Sequence, residues 1–164
     1  MKTLYIARHA KSSWDHEGTT DFERPLNKRG HKDAPRMGTV LYGLGARPGL
    51  IRSSAAMRAI TTARYYAEAL EYPAEKIAVD AGMYGAGPIE LIDIVATFPD
   101  DVGEAMIVGH NPTMHMLAYR LAGFEAENLP TGGVVCVDMD VDTWKGIREA
   151  RGRVRYFEYP KKHT

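Results

Sequence analysis

Cysteine is all but missing from this chain: Cys136 is the only one in 164 residues. A disulfide within the chain is therefore impossible, and a lone thiol suits a reducing, cytoplasmic setting. Excess charge is missing too, since 21 basic side chains face 21 acidic ones. Non-specific nucleic-acid binding draws on surplus positive charge, so this balance argues against a nucleic-acid partner. Long apolar runs are absent. No window approaches the ~18 uninterrupted apolar residues of a membrane span. The short run around Leu4 and Ile6 is too brief for a secretory signal core.

Cofactor and metal loops are lacking as well. Nothing matches a phosphate loop of the Gly-x-x-x-x-Gly-Lys-Ser/Thr kind, and Gly43-Leu44-Gly45 closes a helix where a dinucleotide loop would open one. His110 and His115 miss the i, i+4 spacing of a helical zinc pair. Asp138, Asp140, Asp142 and Glu149 match part of a calcium-loop pattern, but Thr143 stands where the sharp turn requires glycine. Those aspartates alternate with Val137, Met139 and Val141, as the exposed face of a strand would. No metal and no cofactor is expected.

What is present is an apolar content of 45%, enough for one domain with a full core over residues 1–164. Residues 3–7 read as a buried strand, and 10–27 as a polar loop. Asn27 is placed to cap a helix running to about Leu44, with Pro35 expected to kink it or delay its start. Residues 49–52 form the next strand candidate. Ser53 or Ser54 is then expected to cap a helix that keeps Ala56, Ile60, Ala63, Ala67 and Leu70 on one face. A third strand is read at 76–79, and Pro88 suits the first turn of a helix carrying Leu91, Ile92, Val95 and Phe98. Residues 105–108 form a fourth strand, followed by Gly109-His110-Asn111-Pro112 and a helix capped by Asn111. Strands near 133–141 and 153–159, joined by a short link, are expected to be antiparallel neighbours. The alternation predicts an α/β fold, a three-layer α/β/α sandwich around a mainly parallel mixed sheet.

Three short pieces then acquire meaning together: Arg8-His9, Arg58 and His110. Each follows a predicted strand, so all should meet at the carboxyl edge of one sheet, where open α/β folds bind ligands. His9 as a neutral imidazole can attack phosphorus and form a phosphohistidine that water later cleaves. Neighbouring arginines favour the neutral ring by opposing another positive charge. Arg8 and Arg58 can each grip two phosphate oxygens in fork geometry. Arg58 also lies near a helix start, where free N–H groups attract anions. His110 supplies a further donor to the oxygens that carry charge during transfer. Lys11, Ser12 and Ser13, just past the nucleophile, are candidate phosphate donors. Asp21 and Arg24 either touch substrate or hold the first loop as an internal pair.

Arg8-His9-Ala10, Pro25-Leu26-Asn27-Lys28-Arg29-Gly30, Ser53-Ser54-Ala55-Ala56-Met57-Arg58-Ala59 and Gly109-His110-Asn111-Pro112 resemble the histidine phosphatase superfamily in order and spacing. Lys11-Ser12-Ser13-Trp14 after the first motif, with Asp21-Phe22-Glu23-Arg24-Pro25-Leu26, looks most like the compact SixA-type phosphohistidine phosphatases. The resemblance implies the α/β/α fold of that superfamily and no metal. It implies His9 as nucleophile, with Arg8, Arg58 and His110 as the phosphate pocket.

Two departures refine what carries over. The mutase branch places Asn after its first-motif tryptophan, whereas Asp15 stands here; an ionised carboxylate repels phosphate and is expected to point elsewhere. Ester phosphatases carry an acid after the third strand, and this region offers only Glu90, in the first turn of a predicted helix where the dipole favours acidic residues anyway. Leaving alkoxides need protonation, which a general acid speeds by ~10²–10⁴-fold. Phosphohistidine releases a far less basic imidazole. The expected function is thus a phosphatase working through phospho-His9 on protein phosphohistidine. The alternatives are a phosphatase of the same fold acting on small phosphorylated metabolites, with Glu90 as acid, and a phosphate- or phosphoprotein-binding module without turnover.

Overall fold

The computed structural model describes all residues except His16. Six strands form one sheet: β1 (Lys2–Arg8), β2 (Leu50–Ser54), β3 (Ala78–Asp80), β4 (Glu104–Gly109), β5 (Val134–Met139) and β6 (Gly152–Glu158), in the order β3-β2-β4-β1-β5-β6. The first four in that order run parallel; β5 is antiparallel to β1, and β6 antiparallel to β5. This is the mixed, mainly parallel α/β sheet expected.

β1 shows why the layers form. Leu4 and Ile6 face one apolar cluster, while Tyr5 and Ala7 face the other, because alternate side chains leave opposite faces of a strand. The first cluster is closed by α3 (Pro88–Val95) and α4 (Thr113–Ala122), the second by α1 (Lys28–Gly43) and α2 (Met57–Ala69). A strand covered on both sides must be apolar throughout, which accounts for the unbroken runs in β1 and β4.

The helix starts follow local chemistry, with three corrections. Asn27 does cap α1, accepting a hydrogen bond from the Gly30 amide at 2.8 Å. Pro35 does not delay that helix, which runs from Lys28 through Pro35 to Gly43, because the cap has already fixed its start. Neither Ser53 nor Ser54 caps α2: both end β2, and Ala56 takes the cap position without a side-chain bond. The Ser54 hydroxyl is instead directed at His110, at 2.8 Å. The cap position of α4 falls on Pro112, not on Asn111 as expected, and carries no side-chain bond; the Asn111 carboxamide oxygen, one residue earlier, accepts from the His115 amide at 3.2 Å.

β3 begins two residues later than expected, since Ala74–Lys76 winds into a 3₁₀ turn after Pro73. The link between β5 and β6 also holds a 3₁₀ turn, in which buried Trp144 donates to the Val102 carbonyl at 2.8 Å. Asp138 of the calcium-like pattern is tied to Thr3 and Arg155, and no cluster of potential metal ligands exists among the described residues. No helix among them is long and apolar enough to cross a membrane. The order β2-β4-β1 sets three parallel strands side by side. Their carboxyl ends deliver Ser54 with Arg58, Gly109-His110 and Arg8-His9 to one edge.

Candidate active site

A cleft of about 300 Å³ opens at this edge, lined by Arg8, His9, Lys11, Ser12, Trp14, Asp21, Arg24, Arg58, His110, Asn111 and Thr131. His9 is only 6% exposed, and its backbone is pinned on both sides. Its amide donates to the Gly109 carbonyl at 3.0 Å, and its carbonyl accepts from Gly132 at 2.9 Å. The following amide, of Ala10, donates to the Thr62 hydroxyl on α2 at 3.0 Å. Tight packing holds the next stretch: a Cβ at Gly30 would sit 2.1 Å from the Lys11 carbonyl oxygen, so only glycine lets α1 approach this loop.

The His9 ring nitrogen Nδ1 lies 2.7 Å from the Ala10 carbonyl oxygen. A carbonyl can only accept, so Nδ1 carries the proton and Nε2 keeps its lone pair. Burial lowers the pKa of His9 to about 3, opposed by the Ala10 bond and assisted by His110, Arg58 and Arg8. His110, its ring 5.3 Å away, is lowered to about 4 by burial and by Arg58. Both rings are neutral near pH 7. The Ser54 hydroxyl accepts from the Ala56 amide at 3.2 Å and so has its proton to donate to His110 Nε2, which leaves the proton of the neutral His110 ring on Nδ1.

Donors outnumber acceptors here. Arg8 Nε, Arg24 Nε, Arg58 Nε and His110 Nδ1 are buried with no acceptor among the described residues. Such a set suits a ligand with several acceptor oxygens. Burial lowers the pKa of Arg8 and of Arg24 from the usual guanidinium range.

Asp21 is the only carboxylate lining the cleft among the described residues. It lies 3.0 Å from Arg58 Nη2 and 3.5 Å from Arg24 Nη1, and accepts from the Tyr84 hydroxyl at 2.6 Å. The Tyr84 bond and the two arginines hold its pKa below the usual carboxylate range. Arg24 also donates to Ser12 and lies 3.3 Å beneath the ring of Trp14, which is 78% exposed.

Most of the candidates read from sequence therefore share one cleft: Arg8, His9, Arg58, His110, Lys11, Ser12, Asp21 and Arg24. Ser13 and Asp15 do not join them, lining a neighbouring cavity with Asn27. Glu90 is exposed in the first turn of α3, its carboxylate folded back over Gly87, and is not among the cleft's lining residues. Sequence reasoning missed Tyr84, Trp14 and Thr131 as parts of the site. Tyr84 meets His110 edge-on at 5.6 Å and Phe22 at 5.0 Å, contacts between distant segments that no periodicity signals. Trp14 stands five positions past the nucleophile, and only the structure shows its ring exposed.

Comparison with known proteins gives the family. Residues 4–82 match the model of the histidine phosphatase superfamily, branch 1. An uncharacterised protein of Mycobacterium tuberculosis is 32% identical over 94% of this chain and 99% of its own length. The chain belongs to the histidine phosphatase superfamily. Within it the chain is of the SixA type: a candidate phosphohistidine phosphatase SixA from Agrobacterium tumefaciens superposes with a TM-score of 0.81 at 28% identity, covering 97% of this chain and 98% of the other. An uncharacterised chloroplastic protein of Arabidopsis thaliana, 32% identical over 74% of this chain, is longer, and the chain spans 60% of it.

Proposed function

We propose that this protein is a metal-independent phosphatase that transfers a phosphoryl group to His9 Nε2 and then to water, with protein phosphohistidine as its substrate. The carrying observation is the His9 ring, fixed by Ala10 with Nδ1 protonated and kept neutral by burial beside Arg8 and Arg58. Nε2 attacks phosphorus as the bond to the leaving nitrogen breaks, and the substrate ring, protonated on its other nitrogen, departs as neutral imidazole. Arg8, Arg58 and Arg24 supply the positive charge that the three phosphoryl oxygens need in transit. Water then attacks phospho-His9, returning the neutral imidazole and releasing phosphate.

Asp21 favours phosphohistidine over esters. A carboxyl held ionised by Arg58, Arg24 and Tyr84 has no proton to give to a leaving alkoxide. A departing imidazole is much less basic and needs no dedicated acid. Glu90 lies outside the cleft lining, which is consistent with the same reading.

The test is phosphate release from a phosphohistidine-bearing protein and from a panel of phosphate esters, side by side in EDTA. Rapid release from phosphohistidine with slow ester cleavage is expected, and His9→Ala should abolish both. Full activity of His9→Ala would end the phospho-His9 mechanism. Fast ester cleavage would point to a small metabolite as substrate and to Glu90 as the first residue to mutate. Tight phosphate binding without turnover would identify a binding module.

A further inference from the structure

A second cavity of about 360 Å³ adjoins the cleft and shares Arg8, Lys11 and Thr131 with it. Its own cations are Arg29 and Lys161. Its one carboxylate, Asp33, is buried and already 3.4 Å from Arg29. Lys11 and Lys161 form no ion pair among the described residues, and the neighbouring Lys162 is the one that takes Glu158, at 2.9 Å. Positive charge thus continues past Arg8 without matching negative charge.

The chain builds this cavity by folding its C-terminal turn against the loop behind the nucleophile. Gly132, at φ 75°, donates to the His9 carbonyl and lies against Pro160, whose ring would be 2.9 Å from a Cβ there. A glycine serves both needs: left-handed backbone and close approach. Seating Pro160 brings Tyr159 and Lys161 to the flank of Arg8.

We infer that this cavity is a second anion subsite, binding a carboxylate or phosphate that the substrate carries beside its transferable phosphoryl group. The inference rests on the phosphatase reading of the cleft, since the first anion is the phosphoryl group on His9's side. Arg8 bridges the two positions. A substrate with one charged group fills the cleft alone, whereas a doubly anionic one spans both.

Calorimetry with inorganic phosphate, pyrophosphate and tripolyphosphate tests the subsite without requiring turnover. The longer anions should bind more tightly than phosphate. Lys161→Glu should weaken tripolyphosphate by at least ~5-fold, a charge reversal beside an exposed site, while changing phosphate less than twofold. An unchanged ratio of the two affinities would overturn the subsite. Lys161→Ala, with a smaller loss of the same sign, guards against a folding artefact of the glutamate.

Two kinetic arms then identify the carrier of the second anion. Lys161→Glu should lower kcat/KM for a phosphohistidine protein with acidic flanking residues if the group is a side-chain carboxylate. It should lower it for a sugar bisphosphate if the group is a second phosphate. Phosphoramidate, with one anionic group, should be hydrolysed equally by both forms, and equal loss on all substrates would overturn the inference. Absence of any turnover in wild-type protein would instead remove the phosphatase reading, leaving the calorimetric result to stand separately.

Discussion

The two ends of β1 handle charge in opposite ways. At its amino end Thr3 is paired with Asp138, whose carboxylate accepts from Arg155 at 2.6 and 2.9 Å and from Thr3 at 3.0 Å. Tyr5 donates to Glu104 at 2.5 Å, and Lys2 to the Val102 carbonyl at 3.2 Å. Charges there are matched to acceptors. At the carboxyl end Arg58 and Arg24 share one exposed carboxylate, Arg8 donates to the Leu129 carbonyl at 3.0 Å, and buried donors lack acceptors among the described residues. Matched charge fixes a structure, while unmatched buried charge costs stability and makes sense only where a ligand supplies the missing partner.

The comparison breaks first at the cleft. Arg58→Ala and His110→Ala should each lower kcat by ~10²–10³-fold, about 2.7–4 kcal/mol of transition-state stabilisation, if they act as oxyanion donors do. Single-turnover phosphate release measures this. Less than tenfold loss in both variants would show that the donors of this edge are structural, like those of the other.

Acid should expose the same contrast. His9 and His110 are held at about 3 and about 4, against an ordinary 6.5 in the unfolded chain. Unfolding therefore takes up a proton at each ring below pH 6.5, and stability falls as pH drops from there toward the folded values. For His9 alone the loss by pH 4 is on the order of 3 kcal/mol. Urea midpoints from pH 7 to pH 4 should decline steeply in the wild type and less in His9→Asn. Proton NMR of the ring should show no His9 titration above pH 5; an ordinary midpoint near 6.5 would overturn the assignment of a neutral, desolvated nucleophile.

Gly30→Ala probes the backbone beneath the cleft. Its Cβ would press within 2.1 Å of the Lys11 carbonyl, so the loop or α1 must shift. A cost of ~1–3 kcal/mol is expected from overpacking, together with a fall in kcat as Lys11 and Ser12 move. Unaltered stability with unaltered kcat would mean that the loop is less firmly held than the geometry indicates.

How much of this was legible in sequence depends on how local the signal is. Arg8, His9 and His110 were readable because Arg8 ends a strand and the two histidines directly follow one, and Asn27 because a cap needs only the next turn. Pro88 marked the start of α3 for the same reason. The role of Ser54 was misread, since its hydroxyl serves His110, 56 positions away. Asp21 and Arg24 could be named as candidates, but their joint hold by Arg58, Tyr84 and Trp14 could not. Tyr84 is 63 positions from Asp21, and nothing in its neighbourhood's composition distinguishes it from a surface tyrosine. The extent of β3 was missed for a different reason: three residues at a sheet edge carry almost no periodic signal.

The smallest effect is expected at the amino end of β1, and it is the control that gives the others meaning. Arg155 donates to both oxygens of Asp138, a geometry that raises the pKa of the guanidinium and lowers that of the carboxyl. Asp138 is largely covered, but Arg155 is 43% exposed, so solvent screens much of the attraction. Removing the arginine should cost only ~1 kcal/mol, at the upper end for surface pairs, because the carboxylate keeps its bond from Thr3 and can regain water. Thermal unfolding of Arg155→Ala measures that cost, and phosphate release should match the wild type. A loss of activity comparable to Arg58→Ala would mean that the two ends of β1 are coupled, and that the division between matched and unmatched charge does not separate structure from chemistry in this fold.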